Sequence, residues 1–196
     1  MQVEHWSGPE GDAYTERQTL SMDARKDLCG RILRKVNSVH GIIEFGANDG
    51  SNLKAIRSFG PSTILAGVEI NDAAYDRMKV VADFAFHGSM LDDLGVGKWD
   101  MSMTRGVLIH IAPEDLPKAY EALHQSSMRY ICITEYYSPK PRMIPYRGKE
   151  NLLWARDFAG ELMDRYPLKL VDYFFTYHRD PVFPQDDVTT FVMERK

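Results

Sequence analysis

VHGIIEFGANDG, residues 39–50, is the stretch whose reading decides the fold. Val39 to Phe45 is short, apolar and β-branched, and it stops at Gly46, so it reads as a buried strand ending in a tight turn. Ser51 to Phe59 follows as a helix that Pro61 breaks. Thr63 to Glu69 reads as a second buried strand, and Asn71 to Val81 as a helix opened by an Asn or Asp cap. Strand, helix and strand in that order predict a parallel β-α-β unit.

On the N-terminal side, Leu20, Ala24, Leu28, Ile32 and Val36 recur every fourth residue, which predicts a covering helix over 16–38 after a polar lead-in. On the C-terminal side a third strand is expected near 82–87 and a fourth near 99–103. Pro113, Glu114 and Asp115 suit the start of a helix over 113–128, with Leu116, Ala119, Tyr120 and Leu123 on one face. Arg129 to Glu135 reads as a fifth strand, and Asn151 to Tyr166 as a helix. Leu168 to Tyr177 and Val188 to Glu194 read as strands. The ten residues between them are too few for a parallel crossover, so the last strand is expected to run antiparallel. The whole predicts one α/β domain over 1–196, Rossmann-like, with a mostly parallel seven-stranded sheet and a C-terminal antiparallel hairpin. Residues 1–38 form its N-terminal lid and first helix, and 39–196 its core.

Composition agrees with a globular enzyme: of 196 residues, 44% are hydrophobic and 27% charged, which excludes disordered and repeat-tract classes. No run approaches the roughly 18 apolar residues of a membrane span, and MQVEHWSGPEGD lacks a basic-then-apolar signal pattern, so a cytoplasmic protein is expected. Cys29 and Cys132 lack metal-ligand spacing and read as reduced core thiols. The net charge of -4, with Lys and Arg scattered, disfavours nucleic acid and favours a small-molecule substrate, for a monomer or homodimer without membrane partners.

In an open parallel sheet, ligands bind beyond the carboxyl ends of the strands where strand order reverses, which points to the exit of the first strand. Gly46 there allows a tight turn, and Gly50 lets the next helix start close to the sheet. The spacing from Gly46 to Gly50 is not the G-x-G-x-x-G of a pyrophosphate loop, which weakens a dinucleotide reading. Glu69 ends the second strand, where a carboxylate accepts hydrogen bonds from ribose hydroxyls. These features predict S-adenosyl-L-methionine (SAM) as cofactor and S-adenosyl-L-homocysteine (SAH) as product, at Glu44, Gly46, Asn48, Gly50, Glu69 and Ile70. Ser89 and Met90 are expected at adenine, and Thr104 and Arg105 at the methionine end. Glu44, two residues before Gly46, is expected to anchor the loop through backbone N–H groups. No metal site is expected, since His178, Asp180, Asp186 and Asp187 match no strong spacing.

Methyl transfer needs an aimed acceptor and, where that acceptor carries a proton, a base. His110 is the first choice for the base, with Glu135 and His178 in reserve. Tyr14, Arg17, Tyr137, Arg147 and Arg179 are the expected substrate contacts; the arginines suit a carboxylate or phosphate. Trp6, Tyr14 and Arg17 are placed to close over the cofactor as a lid.

The chain resembles the methylases associated with pseudaminic acid biosynthesis, within the class I SAM-dependent methyltransferases. The likeness rests on Trp6-Ser-Gly-Pro9, Gly11-Asp-Ala-Tyr14-Thr-Glu-Arg17, Glu44-Phe-Gly-Ala-Asn48, Gly106-Val-Leu-Ile-His110-Ile, Glu135-Tyr-Tyr137, Ile144-Pro-Tyr-Arg147-Gly, His178-Arg-Asp-Pro181 and Phe183-Pro-Gln-Asp-Asp187. The resemblance implies biosynthetic methyl transfer to a sugar, a nucleotide-sugar or a similar small polar molecule. Methylation of an amino-acid-like metabolite, SAM binding without turnover, and an NAD-dependent oxidoreductase are the competing readings.

Overall fold

The computed structural model describes residues 2–17 and 19–196. A seven-stranded sheet forms its centre, in the order β3-β2-β1-β4-β5-β9-β8. The strands are β1 (Gly41–Phe45), β2 (Ile64–Glu69), β3 (Phe84–His87), β4 (Trp99–Arg105), β5 (Ser127–Glu135), β8 (Leu168–Phe175) and β9 (Thr189–Arg195). All pairs from β3 to β5 are parallel, while β9 runs antiparallel to both β5 and β8. The expected α/β sandwich with its terminal antiparallel pair is therefore the observed one. A two-stranded piece, β6 (Arg142–Met143) and β7 (Trp154–Ala155), stands apart from the main sheet.

Alternation along the buried strands divides the core. Ile42, Met101 and Cys132 pack with Leu28 and Ile32 of α3 (Met22–Leu33) and Leu53 and Ile56 of α4 (Ser51–Arg57). Ile43, Phe45, Ile131 and Ile133 face the other way. They meet Leu116, Tyr120 and Leu123 of α6 (Leu116–Ser126), and Phe158 and Leu162 of α7 (Phe158–Arg165). Period two in a strand and 3.6 in a helix require this division. Both cysteines are buried, and burial pushes the Cys29 thiol up to about 12 and that of Cys132 higher still, so both are protonated core groups.

Three expectations need correction. The lead-in is helical: α1 (Gln2–Ser7) and α2 (Pro9–Glu16) precede the covering helix, which is shorter than 16–38 because Ser21 caps it, accepting from the Ala24 N–H at 3.1 Å. Gln18, inside that expected span, lies outside the described residues, as does Met1. Residues 151–157 are not helical. Trp154 pairs with Met143, and α7 starts only after Asp157, whose side chain accepts from Gly160 at 2.9 Å. α5 (Asp72–Met78) is also shorter than expected, capped by Asn71. Among the described residues no helix is long and apolar enough to cross a membrane.

Candidate functional site

Strand order reverses between β1 and β4, since β1 continues leftward to β2 and β3 and β4 continues to β5. A cavity of about 660 Å³ opens at the carboxyl ends of these strands. Its first wall is the turn after β1. Gly46, Asn48 and Gly50 have φ of 66°, 50° and 77°, and Gly46 and Ala47 donate to the Val68 carbonyl at 2.8 and 3.0 Å. A Cβ at Gly46 collides with Val107 Cγ2, so packing inside the protein requires glycine here even without a ligand. Gly50 does not line the cavity; it lets α4 begin against Met78 and Val81.

Glu69, at the end of β2, organises the second wall. Its Oε2 accepts from the Asn48 N–H at 2.8 Å, and its Oε1 accepts from Ile70 and Asn71, each at 2.9 Å. Burial raises its pKa, against the lowering effect of these three donors. A carboxylate has about four acceptor sites, so one remains, on Oε2, for a ligand. Ile70, Ser89 and Met90 line the cavity beside it. The Ser89 turn is self-held: its N–H donates to Asp92 at 3.0 Å and its hydroxyl accepts from Leu91 at 3.1 Å.

Glu44 lies behind the first wall. Its Oε1 accepts from Asn52 Nδ2 at 2.7 Å, not from the loop's backbone, and Asn52 Oδ1 accepts in turn from Arg25 Nη1 at 2.7 Å. Burial pushes its pKa up to about 7, with Asn52 and Arg25 opposing. Glu44 Oε2 and Arg105 Nε are buried without a partner among the described residues. Arg25, Asn52 and Arg105 all line the cavity, so its floor carries paired cationic donors. Burial lowers the Arg25 pKa, and the neighbouring Arg105 lowers it further.

The third wall follows β4. Glu135, fully buried at the end of β5, accepts from the Thr104 hydroxyl at 3.0 Å and from the N–H groups of Val107, Leu108 and Ile109 at 3.2 to 3.3 Å. Burial pushes it up to about 7 despite these donors. Neither Glu135 nor Thr104 lines the cavity; together they fix the 3-10 turn Leu108–His110 that carries His110 into it. His110 Nδ1 lies 2.6 Å from the Leu152 carbonyl, a contact that requires the proton on Nδ1 and leaves Nε2 as an acceptor. Burial lowers its pKa to about 4, so the ring is neutral near pH 7.

Residues of the two N-terminal helices line the cavity. Thr15 donates to Asn48 Oδ1 at 2.8 Å, Asn71 Nδ2 donates to Asp12 at 2.8 Å, and the side-chain Oε1 of Gln2 accepts from the Ala112 N–H at 2.8 Å. Tyr14 lines the cavity with Trp6. Arg17, Tyr137, Arg147 and Arg179 are exposed and lie outside it. His178 is also exposed, near the sheet's outer edge, with Nδ1 2.8 Å from both carboxylate oxygens of Asp187. Asp180 accepts from the Val182 and Phe183 N–H groups.

The structure thus brings together Gly46, Asn48, Glu69, Ile70, Ser89, Met90, Arg105, His110 and Tyr14. The sequence reading overlooked Arg25, Asn52 and Trp154 on the same cavity and saw in Asn71 only a helix cap. Arg25 had a faint signal, a charge next to the apolar stripe position Ala24.

No family model matches the chain, and no curated protein does. Solved structures do. The chain is similar to magnesium protoporphyrin IX methyltransferase (ChlM) from Synechocystis PCC 6803 with bound SAH, with a TM-score of 0.75 and 11% identity over 99% of this chain and 98% of that one. It is similar to the methyltransferase domain of bacterial CtHen1, with a TM-score of 0.68 and 14% identity over 89% and 99%. It is also similar to the glycopeptide N-methyltransferase MtfA complexed with SAM, with a TM-score of 0.65 and 10% identity over 87% and 94%. The fold is that of the class I SAM-dependent methyltransferases.

Proposed function

We propose that this protein is a SAM-dependent methyltransferase acting on a small polar acceptor. The observation that carries the reading is Glu69. Its carboxylate ends β2 at the point where strand order reverses, is locked by three backbone N–H groups, and keeps one acceptor site for a ribose hydroxyl. Ser89 and Met90 flank adenine, and Arg25 and Arg105 hold the carboxylate of the methionine portion. When bound, SAM supplies an electrophilic methyl group on a sulfonium.

The chain's own residues then position, shield and move a proton. α1 and α2 cover the cavity and exclude water. Glu135 is a positioning residue that holds the turn bearing His110. His110, its Nδ1 proton committed to Leu152, offers Nε2 as the base. The family resemblance favours a sugar or nucleotide-sugar acceptor. Arg147 and Arg179 serve such an acceptor only from outside the cavity.

Calorimetry with SAM, SAH and NADH, on the wild type and Glu69→Ala, tests the reading. Micromolar binding of the two adenosyl compounds, lost in the variant, is expected; binding of NADH alone overturns it.

A further inference from the structure

The two ends of the cavity differ in chemistry. Arg25, Arg105 and Asn52 make one end cationic and polar; they belong to the side of the sheet where Glu44 is buried. Around His110 the wall is aromatic, with Trp6 and Trp154, while Tyr14, close enough to Arg25 to raise its pKa, stands between the two. The Trp6 and His110 ring centroids are 4.4 Å apart, and Tyr14 stands edge-on to Trp6 at 5.4 Å. Trp154 belongs to the segment whose Leu152 carbonyl fixes His110, and Tyr146 stands edge-on to the His110 ring at 5.2 Å.

Two further features describe what fits there. Trp6 Nε1 is buried without a partner among the described residues, although a buried N–H is normally satisfied. Of the ionisable side chains near His110, Glu114 and Asp115 on the cavity are carboxylates, and His5, whose ring lies 5.0 Å from Trp6, has its pKa lowered by burial. An anionic group placed near these carboxylates meets like charge, while the cavity-lining arginines, Arg25 and Arg105, lie on the Glu44 side.

We propose that the aromatic end is the acceptor subsite and that it takes an uncharged ring carrying a free hydroxyl, not a phosphorylated or carboxylated molecule. This rests on the methyl-transfer reading above and narrows its substrate class to the uncharged sugar or aryl ring, against the phosphorylated nucleotide-sugar that the family resemblance also allows. Indole faces accept the flat face of an aryl ring or the C–H face of a sugar. The Trp6 N–H supplies a donor to a second ring oxygen. In the step itself, the acceptor oxygen forms a bond to the methyl carbon as the C–S bond breaks and its electron pair stays on sulfur. The hydroxyl proton passes to His110 Nε2 and then to water.

The test incubates the protein with SAM and either methyl hexosides or substituted phenols, each beside its phosphorylated and carboxylated counterparts and an amine analogue. SAH release is measured, and SAH affinity is determined in parallel. Release is expected with uncharged hydroxylated rings alone, and the hexoside and phenol arms tell which source of that chemistry is used. Trp6→Phe, which keeps the ring stack and deletes the N–H, is expected to raise the acceptor KM by about tenfold with SAH affinity unchanged. Turnover confined to anionic or amine acceptors, no turnover of any uncharged ring by a protein that binds SAH, or an unchanged acceptor KM in Trp6→Phe overturns the proposal. Failure to bind SAH strikes the methyltransferase reading itself, and this proposal with it.

Discussion

The hydroxyl of Thr15 donates to the side-chain oxygen of Asn48 at 2.8 Å, joining positions 33 residues apart. Asn48 also gives its N–H to Glu69, and Asn71, the other flank of that carboxylate, is tied to Asp12. The N-terminal helices and the Glu69 wall of the cavity are therefore tied through the same residues. Thr15→Val keeps the shape and removes the bond, worth about 0.5–1.5 kcal/mol. We expect SAH affinity to fall by about threefold to tenfold, with faster amide exchange across residues 2–17 in the SAH complex. Unaltered exchange in the variant means that the cover and the cofactor site are independent.

Glu135 holds three consecutive N–H groups of the turn that ends at His110. Glu135→Gln turns an acceptor-only group into one that presents NH₂ to some of those donors, at a cost of about 1–3 kcal/mol in unfolding free energy. A positioning role predicts more: kcat falls while SAH affinity stays, because Glu135 does not line the cavity. Chemical denaturation beside steady-state kinetics checks both parts. A loss of stability with kcat intact reduces Glu135 to a structural anchor.

What was legible in the sequence was local. A strand, a glycine turn and a helix lie within residues 41–57, so periodicity and turn chemistry expose them together, and Glu69 follows at the next strand end. Arg25 reaches the same cavity from α3 through Asn52, a contact across 27 residues that no local pattern encodes. The Leu152 carbonyl that sets the His110 tautomer is a backbone atom, invisible in residue identity. Residues 151–157 misled because Leu152, Leu153, Trp154 and Ala155 are all buried, and a short apolar run does not distinguish strand from helix. His178 stood at a strand end as expected, but it is exposed and held by Asp187, and from that connection it is Gln185 that reaches a cavity residue, Arg105.

Gly46 is held for two separable reasons: its φ of 66°, and a missing Cβ where Val107 Cγ2 packs. A left-handed conformation costs a non-glycine residue about 1–2 kcal/mol, and overpacking adds about 1–3 kcal/mol. Gly46→Ala is expected to lower the unfolding free energy by about 2–5 kcal/mol. Adding Val107→Ala then recovers the steric part and leaves the backbone part. Strictly additive losses in denaturant unfolding of the two single variants and the double variant contradict the contact.

His110 makes a pH prediction with a definite sign. Its folded value is lowered to about 4 from the ordinary 6.5, so between those values the unfolded chain binds more protons and stability rises with pH. The contribution is complete above pH 6.5 and is lost as pH falls toward 4, amounting to about 3 kcal/mol. Glu44 and Glu135, both raised to about 7, act oppositely, favouring the fold below their unfolded values and losing that effect as pH rises through 7. Subtracting the stability of His110→Gln from that of the wild type at each pH isolates the histidine. The difference should shrink from pH 6.5 to 4. The same lowered value places the acid limb of turnover near pH 4, since a base that stays neutral keeps its lone pair down to that pH. A limb near 6.5 in kcat/KM that is absent from the stability difference assigns the proton transfer to another group.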